Sequence, residues 1–159
     1  MIRTIALWFA TLGVLGTVGW KAEESEEILA NGQIVYVPIR PRDPRSLVQG
    51  DFHRLRYALR TRKAPNAGYL ALTVDDRRVV TGDRHAPHGV GPGEVRVAYR
   101  TVDGNPEIAP TSFLIEEGTG HDYDAARLAE LRVGDDGTAL LVRLRTGDLA
   151  PLGPEPRGW

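Results

Sequence analysis

The feature that most constrains this chain is its start. Arg3 is followed by 17 uncharged residues, Thr4 to Trp20, among them Ile5, Leu7, Trp8, Phe9, Leu12, Val14, Leu15 and Val18. As a helix this run rises about 25 Å, at the short end of what crosses a bilayer. Trp20 at its exit suits the aromatic belt of a membrane interface. Cleavage as a signal peptide asks for small residues at alternate positions before the cut, and Gly19-Trp20-Lys21-Ala22 lacks them. The run therefore reads as an uncleaved, single-pass anchor. Arg3 and Lys21 oppose each other across it, so the positive-inside rule decides little. Short anchors with nothing large before them usually send the chain that follows out of the cytoplasm, and that side is expected here.

Over the whole chain, 42% apolar and 26% charged residues describe a globular protein. A formal net charge of -1 excludes bulk attraction to nucleic acid. Nor is there a basic-aromatic platform or a Gly-rich phosphate cradle. Cysteine is absent, which excludes disulfides, a thiolate nucleophile and thiolate metal sites. Basic charge is almost all arginine, with lysine only at Lys21 and Lys63.

Glu23 to Asn31 continues the helix and Gly32 ends it. From there the pattern is β. Ile34 to Ile39 is an apolar run, and Phe52 to Leu59 alternates. Tyr69 to Val74 and Arg77 to Thr81 flank Asp75-Asp76 as a hairpin. Val95, Val97 and Tyr99 alternate with Glu94, Arg96 and Arg100, and Ser112 to Ile115 is another short strand. Asp122 to Glu130 reads as a helix capped by Asp122 and carried by Ala125, Ala126 and Leu128. Leu131 to Val133, the turn Gly134 to Gly137 and Leu140 to Leu144 close with a hairpin. The expected fold is mainly β, an antiparallel sandwich or partly closed barrel of seven or eight short strands, with one N-terminal transmembrane helix and one short body helix. The expected divisions are an anchor and juxtamembrane helix over 1–31, a β domain over 32–146 and a Pro/Gly-rich flexible tail over 147–159.

Residues 43–59 read DPRSLVQGDFHRLRYAL. Asp43 can cap a single helical turn, Pro44 suits its first position and Gly50 can end it. Asp51 then opens a strand, on the same face as Leu55 and Tyr57 by parity. A carboxylate at the edge of a core must find hydrogen bonds, and the turn amides are the nearest donors. Tyr57 is expected to bury its ring and carry its hydroxyl to a polar rim.

At Gly50, Asp51, Leu55 and Tyr57 the chain resembles the GDYXXLXY family, with Phe52 where that signature has tyrosine. The likeness extends to KAEESEEILANG before the motif and FLIEEGTG after it. It implies a membrane-anchored bacterial protein without an established activity, associated with a larger multi-span membrane protein. Phe52 lacks the hydroxyl that a role for the first motif tyrosine would need.

Several constellations can be weighed against ordinary structural roles. Asp51 and Tyr57 read as a turn lock and a core aromatic, or else as a site. Asp51 with His53 or Tyr57 offers a hydrolase, with no serine in an elbow context beside it. The turn resembles that of membrane-anchored Ser/Lys peptidases, but Arg40, Pro41 and Arg42 stand where their nucleophile would be, and a general-base lysine is missing. Asp83, His85 and His88 have metal-ligand spacing within what reads as a solvated loop. Arg54, Arg56, Arg96, Arg100, Arg143 and Arg145 fall on outward strand faces; were those strands neighbours, they would form a face for anionic envelope ligands. His121 flanks the expected helix. No catalytic set, metal site or cofactor is expected. The anchor, the missing catalytic set and the family resemblance together imply an accessory or interaction protein that docks through Gly50, Asp51, Phe52, Leu55 and Tyr57 onto an integral membrane partner. A membrane-bound hydrolase and a binder of anionic ligands through Arg54, Arg56, Arg96 and Arg100 are the alternatives.

Overall fold

A computed structural model describes residues 19–40, 52–62, 65–114 and 120–153. Helix α1 (19–31) leads into strand β1 (Gln33–Arg40), which is followed by β2 (Phe52–Arg54), β3 (Arg56–Tyr57), β4 (Ala67–Val74) and β5 (Val80–His85). Then come β6 (Glu94–Val102), β7 (Asn105–Glu107), β8 (Ser112–Leu114), a 3-10 turn (Gly120–Tyr123), β9 (Leu128–Val133) and β10 (Ala139–Arg145). The strands form two four-stranded sheets, ordered β10-β9-β1-β3 and β5-β4-β6-β7, and a β2-β8 ribbon. Every strand pairing is antiparallel, so the mainly β, antiparallel expectation stands.

Strand alternation builds the core. Val35, Val37 and Ile39 of β1 and Val95, Val97 and Tyr99 of β6 are buried, while the even-numbered neighbours between them are half-buried. Both four-stranded sheets contribute to one cluster, with Leu70 and Leu72 on one side and Leu131 and Leu144 on the other. Each fully buried leucine stabilises the fold by about 1.5–3 kcal/mol.

Three segments differ from the sequence expectation. Asp122 to Glu130 is not a helix. Only the 3-10 turn forms, closed by Ala126 N donating to Tyr123 O at 2.9 Å, and Leu128 already belongs to β9. β9 lies between β1 and β10 and buries Leu128, Ala129, Glu130 and Leu131 in succession. Helix propensities differ by only tenths of a kcal/mol per residue, too little to outweigh two hydrogen-bonded ladders and that burial. The β4–β5 connection is longer than Asp75-Asp76, because the Asp75 carboxylate accepts the amides of Arg77 and Val79 and delays β5 to Val80. Residues 147–153, expected to trail, turn back instead. Pro151 bridges Arg145, Leu152 N donates to Leu144 O at 3.0 Å and Leu152 packs on the core.

Helix α1 meets the sheet through a close contact. Ile28 is its buried apolar side chain, and a Cβ on Gly134 would lie 2.9 Å from Ile28 Cγ1. Gly32 N donates to Ile28 O at 2.9 Å and ends the helix. Arg132 caps it by donating to Gly32 O at 3.1 Å, a cation at the negative end of the helix dipole. Among the described residues no helix is long and apolar enough to cross a membrane. The run from Thr4 to Val18, where the anchor was read, lies outside them.

A Cβ on Gly32 would stand 2.3 Å from Ile28 O and 3.1 Å from Val133 O, whereas Gly147 has nothing within 4 Å. Gly32→Ala is expected to cost about 1–3 kcal/mol by overpacking this joint. Gly147→Ala should change little. Urea unfolding of both variants checks this, and equal stabilities would remove the joint from the account.

Candidate functional site

The motif strand changes partner midway. Gly50 and Asp51 lie outside the described residues. From Phe52 the chain pairs with β8 in the register Phe52↔Leu114, His53↔Phe113 and Arg54↔Ser112. Leu55 N then donates to Thr111 O at 2.6 Å, and its side chain is buried. Immediately afterwards the chain joins β1, with Arg40↔Arg56 and Ile39↔Tyr57, and Ala58 N donates to Pro38 O. Leu55 is thus the corner between the ribbon and the first sheet.

Tyr57 closes that corner. Its half-buried ring packs on the core and its hydroxyl donates to Pro110 O at 2.8 Å, beside the carbonyl that receives Leu55 N. This is the ring-in, hydroxyl-out placement that parity predicts. Burial, and secondarily the charge of Glu107, push its phenol well above the ordinary tyrosine range. Leu59 is buried beyond it. The exit is then clamped by Asp83, whose two carboxylate oxygens accept Arg60 N and Thr61 N, each at 2.7 Å.

Asp83 and His85 therefore belong to β5 and not to a loop, which corrects that expectation. Asp83 is engaged by main-chain amides, His85 meets the Tyr99 ring edge-on at 6.0 Å, and His88 is exposed. Among the described residues no group of three His, Cys, Asp or Glu side chains could hold a metal ion. The role of Asp83 was missed because its partners lie 22 and 23 residues away.

The arginines expected on one face are dispersed. They sit on β2, β3, β6 and β10, and no two of these strands are hydrogen-bonded neighbours. Arg56 is exposed. Arg96 covers the Tyr69 ring at 4.1 Å, and Arg100 lies 3.9 Å from Glu107. Arg145 Nε donates to the buried Glu130 at 2.5 Å, with Arg143 Nε 4.0 Å from the same carboxylate. Strand adjacency separates these arginines, because β2, β3, β6 and β10 pair with other strands.

Folding raises the Tyr57 pKa, so the native state holds the phenolic proton more tightly than the unfolded chain. The stability this contributes is complete below about pH 10, the ordinary tyrosine value, and drains as pH climbs beyond it. Tyr57→Phe is expected to lose about 1 kcal/mol near neutrality with the hydrogen bond, and to flatten the alkaline loss. Denaturant unfolding measured across neutral and alkaline pH checks both. An alkaline limb equally steep in the variant would assign it elsewhere.

Neither curated proteins nor solved structures gave a match to the chain. One family model does match, over residues 14–144, and it takes its name from the segment that forms this corner. With its motif strand at Phe52–Tyr57 and a match over most of its length, the chain belongs to the GDYXXLXY family.

Proposed function

We propose that the chain is a non-enzymatic, membrane-tethered accessory protein. Its β domain would stand on the extracytoplasmic side of a bacterial inner membrane and dock onto an integral, multi-span membrane protein. The observation that carries this reading is the joint between α1 and the first sheet. Ile28 is seated against Gly134, and Gly32 and Arg132 close the helix end. An anchor running into α1 from the apolar segment before it would impose its direction on the domain. Trp20, 72% exposed near the start of α1, suits a membrane interface.

The motif supports docking more than chemistry. Tyr57, one of the two side chains that could serve Asp51 in a hydrolase, has its proton held by burial and by Pro110 O. Between Leu55 and Tyr57, the side chain of Arg56 is exposed on β3, an edge strand of its sheet among the described residues. Sheet edges are where a partner's chain can add.

A photo-crosslinking residue placed at Arg56, and in a control at the exposed turn residue Asp103, tests this in native membranes. Capture of one multi-span membrane protein from position 56 and not from 103 is expected. Capture of soluble proteins alone, or the same products from both positions, would sink the proposal.

A further inference from the structure

Between the end of α1 and the β4–β5 turn lies an open cleft of about 570 Å³. Its lining includes Ile34 and Tyr36 of β1, Arg132 of β9, Asp76, Arg77 and Arg78 of the turn, and Leu149 of the returning C-terminal segment. Three arginines thus meet one carboxylate along the wall. A second carboxylate, Asp148, lies close enough to Arg77 to interact with its charge. Arg132 spends one guanidinium donor on Gly32 O, and a guanidinium carries five.

The backbone around this cleft is held in an unusual state. Among the described residues three non-glycine positions have positive φ: Arg78 at 63°, Asp103 at 51° and Leu149 at 73°. Two of the three line the cleft, and neither is a residue type that adopts this conformation readily. The tip of the turn is pinned as well, because Tyr36 N donates to Arg78 O at 2.9 Å and Val79 bridges Tyr36. Opposite, Arg145 Nη1 donates to Leu149 O at 2.5 Å. Glycine is the unstrained residue for position 78, so a long cationic side chain is kept there against the local backbone preference.

We propose that this cleft is a binding site for a phosphate-type oxyanion, held by Arg77, Arg78 and Arg132. Guanidinium forks match the geometry of phosphate oxygens, and several arginines on rigid supports give a pre-organised positive surface. A soluble phosphate-bearing ligand is favoured over a lipid headgroup. The cleft is at the C-terminal end of α1, about 20 Å along the helix from its start. The intervening Glu23, Glu24, Glu26 and Glu27 are exposed and would oppose an anionic bilayer. The site is separate from the motif corner, so it stands or falls independently of docking.

The test is calorimetric titration of the full chain in neutral detergent micelles with inorganic pyrophosphate. Saturable binding is expected, weakened at least tenfold in Arg77→Gln/Arg78→Gln, since even one lost charge-assisted bond is worth about that factor. Asp76→Asn should bind more tightly. Arg78→Gly should bind more weakly while its melting temperature does not fall, which separates loss of the site from loss of the fold. Phosphatidylglycerol added to the micelles should not displace pyrophosphate; displacement would keep the site and make a lipid headgroup its ligand. Absence of saturable binding, or equal affinity in the double arginine variant, would overturn the proposal.

Discussion

Main-chain amides packed against a core must find acceptors, and residues 55–61 meet this demand with three different acceptors in turn. Leu55 N uses Thr111 O, Ala58 N uses Pro38 O, and Arg60 N and Thr61 N share the carboxylate of Asp83. The acceptors belong to three different parts of the chain. This one stretch therefore ties the β2-β8 ribbon and the first sheet to β5 of the second sheet. The leucine and tyrosine of the signature lie where these changes occur. Leu55 fills the core at the corner, and Tyr57 fastens the corner back to Pro110.

Charge inside the first sheet follows a similar logic. Glu130 is the buried charged residue of β9, and an isolated buried carboxylate would be costly. Arg145 and Arg143 surround it, and Arg145 also reaches Leu149 O and lies over the Tyr36 ring at 5.5 Å. Removing one partner of such a group generally costs more than the group contributes in net stability. Its consequence here is spatial: Arg145 holds the C-terminal return against the sheet, and that return supplies one wall of the basic cleft.

The joint at Ile28 links these local arrangements to the proposed setting of the protein. A helix that ends against glycines, and is capped by Arg132, cannot swing freely on the sheet. The same arginine lines the cleft, so the helix end and the basic wall share one residue.

Much of this was legible in the sequence because it depends on local geometry. The two-residue period of β1 and β6 decides which of their side chains face the core. Asn31-Gly32 ends a helix, Gly134 to Gly137 turns a chain, and Leu55 and Tyr57 share a face with Arg56 opposite. Other features depended on which strands become neighbours, and a two-residue period carries no such information. Ala125 to Glu130 has good helix formers, yet the place between β1 and β10 required a strand. Arg96 and Arg143 have equivalent parity but lie in different sheets. Asp83 became a clamp, and Arg77, Arg78 and Arg132 came to line one cleft, only because distant segments met there. Short-range stereochemistry determined the elements and their faces; burial and hydrogen-bond demand across the whole fold decided their partners.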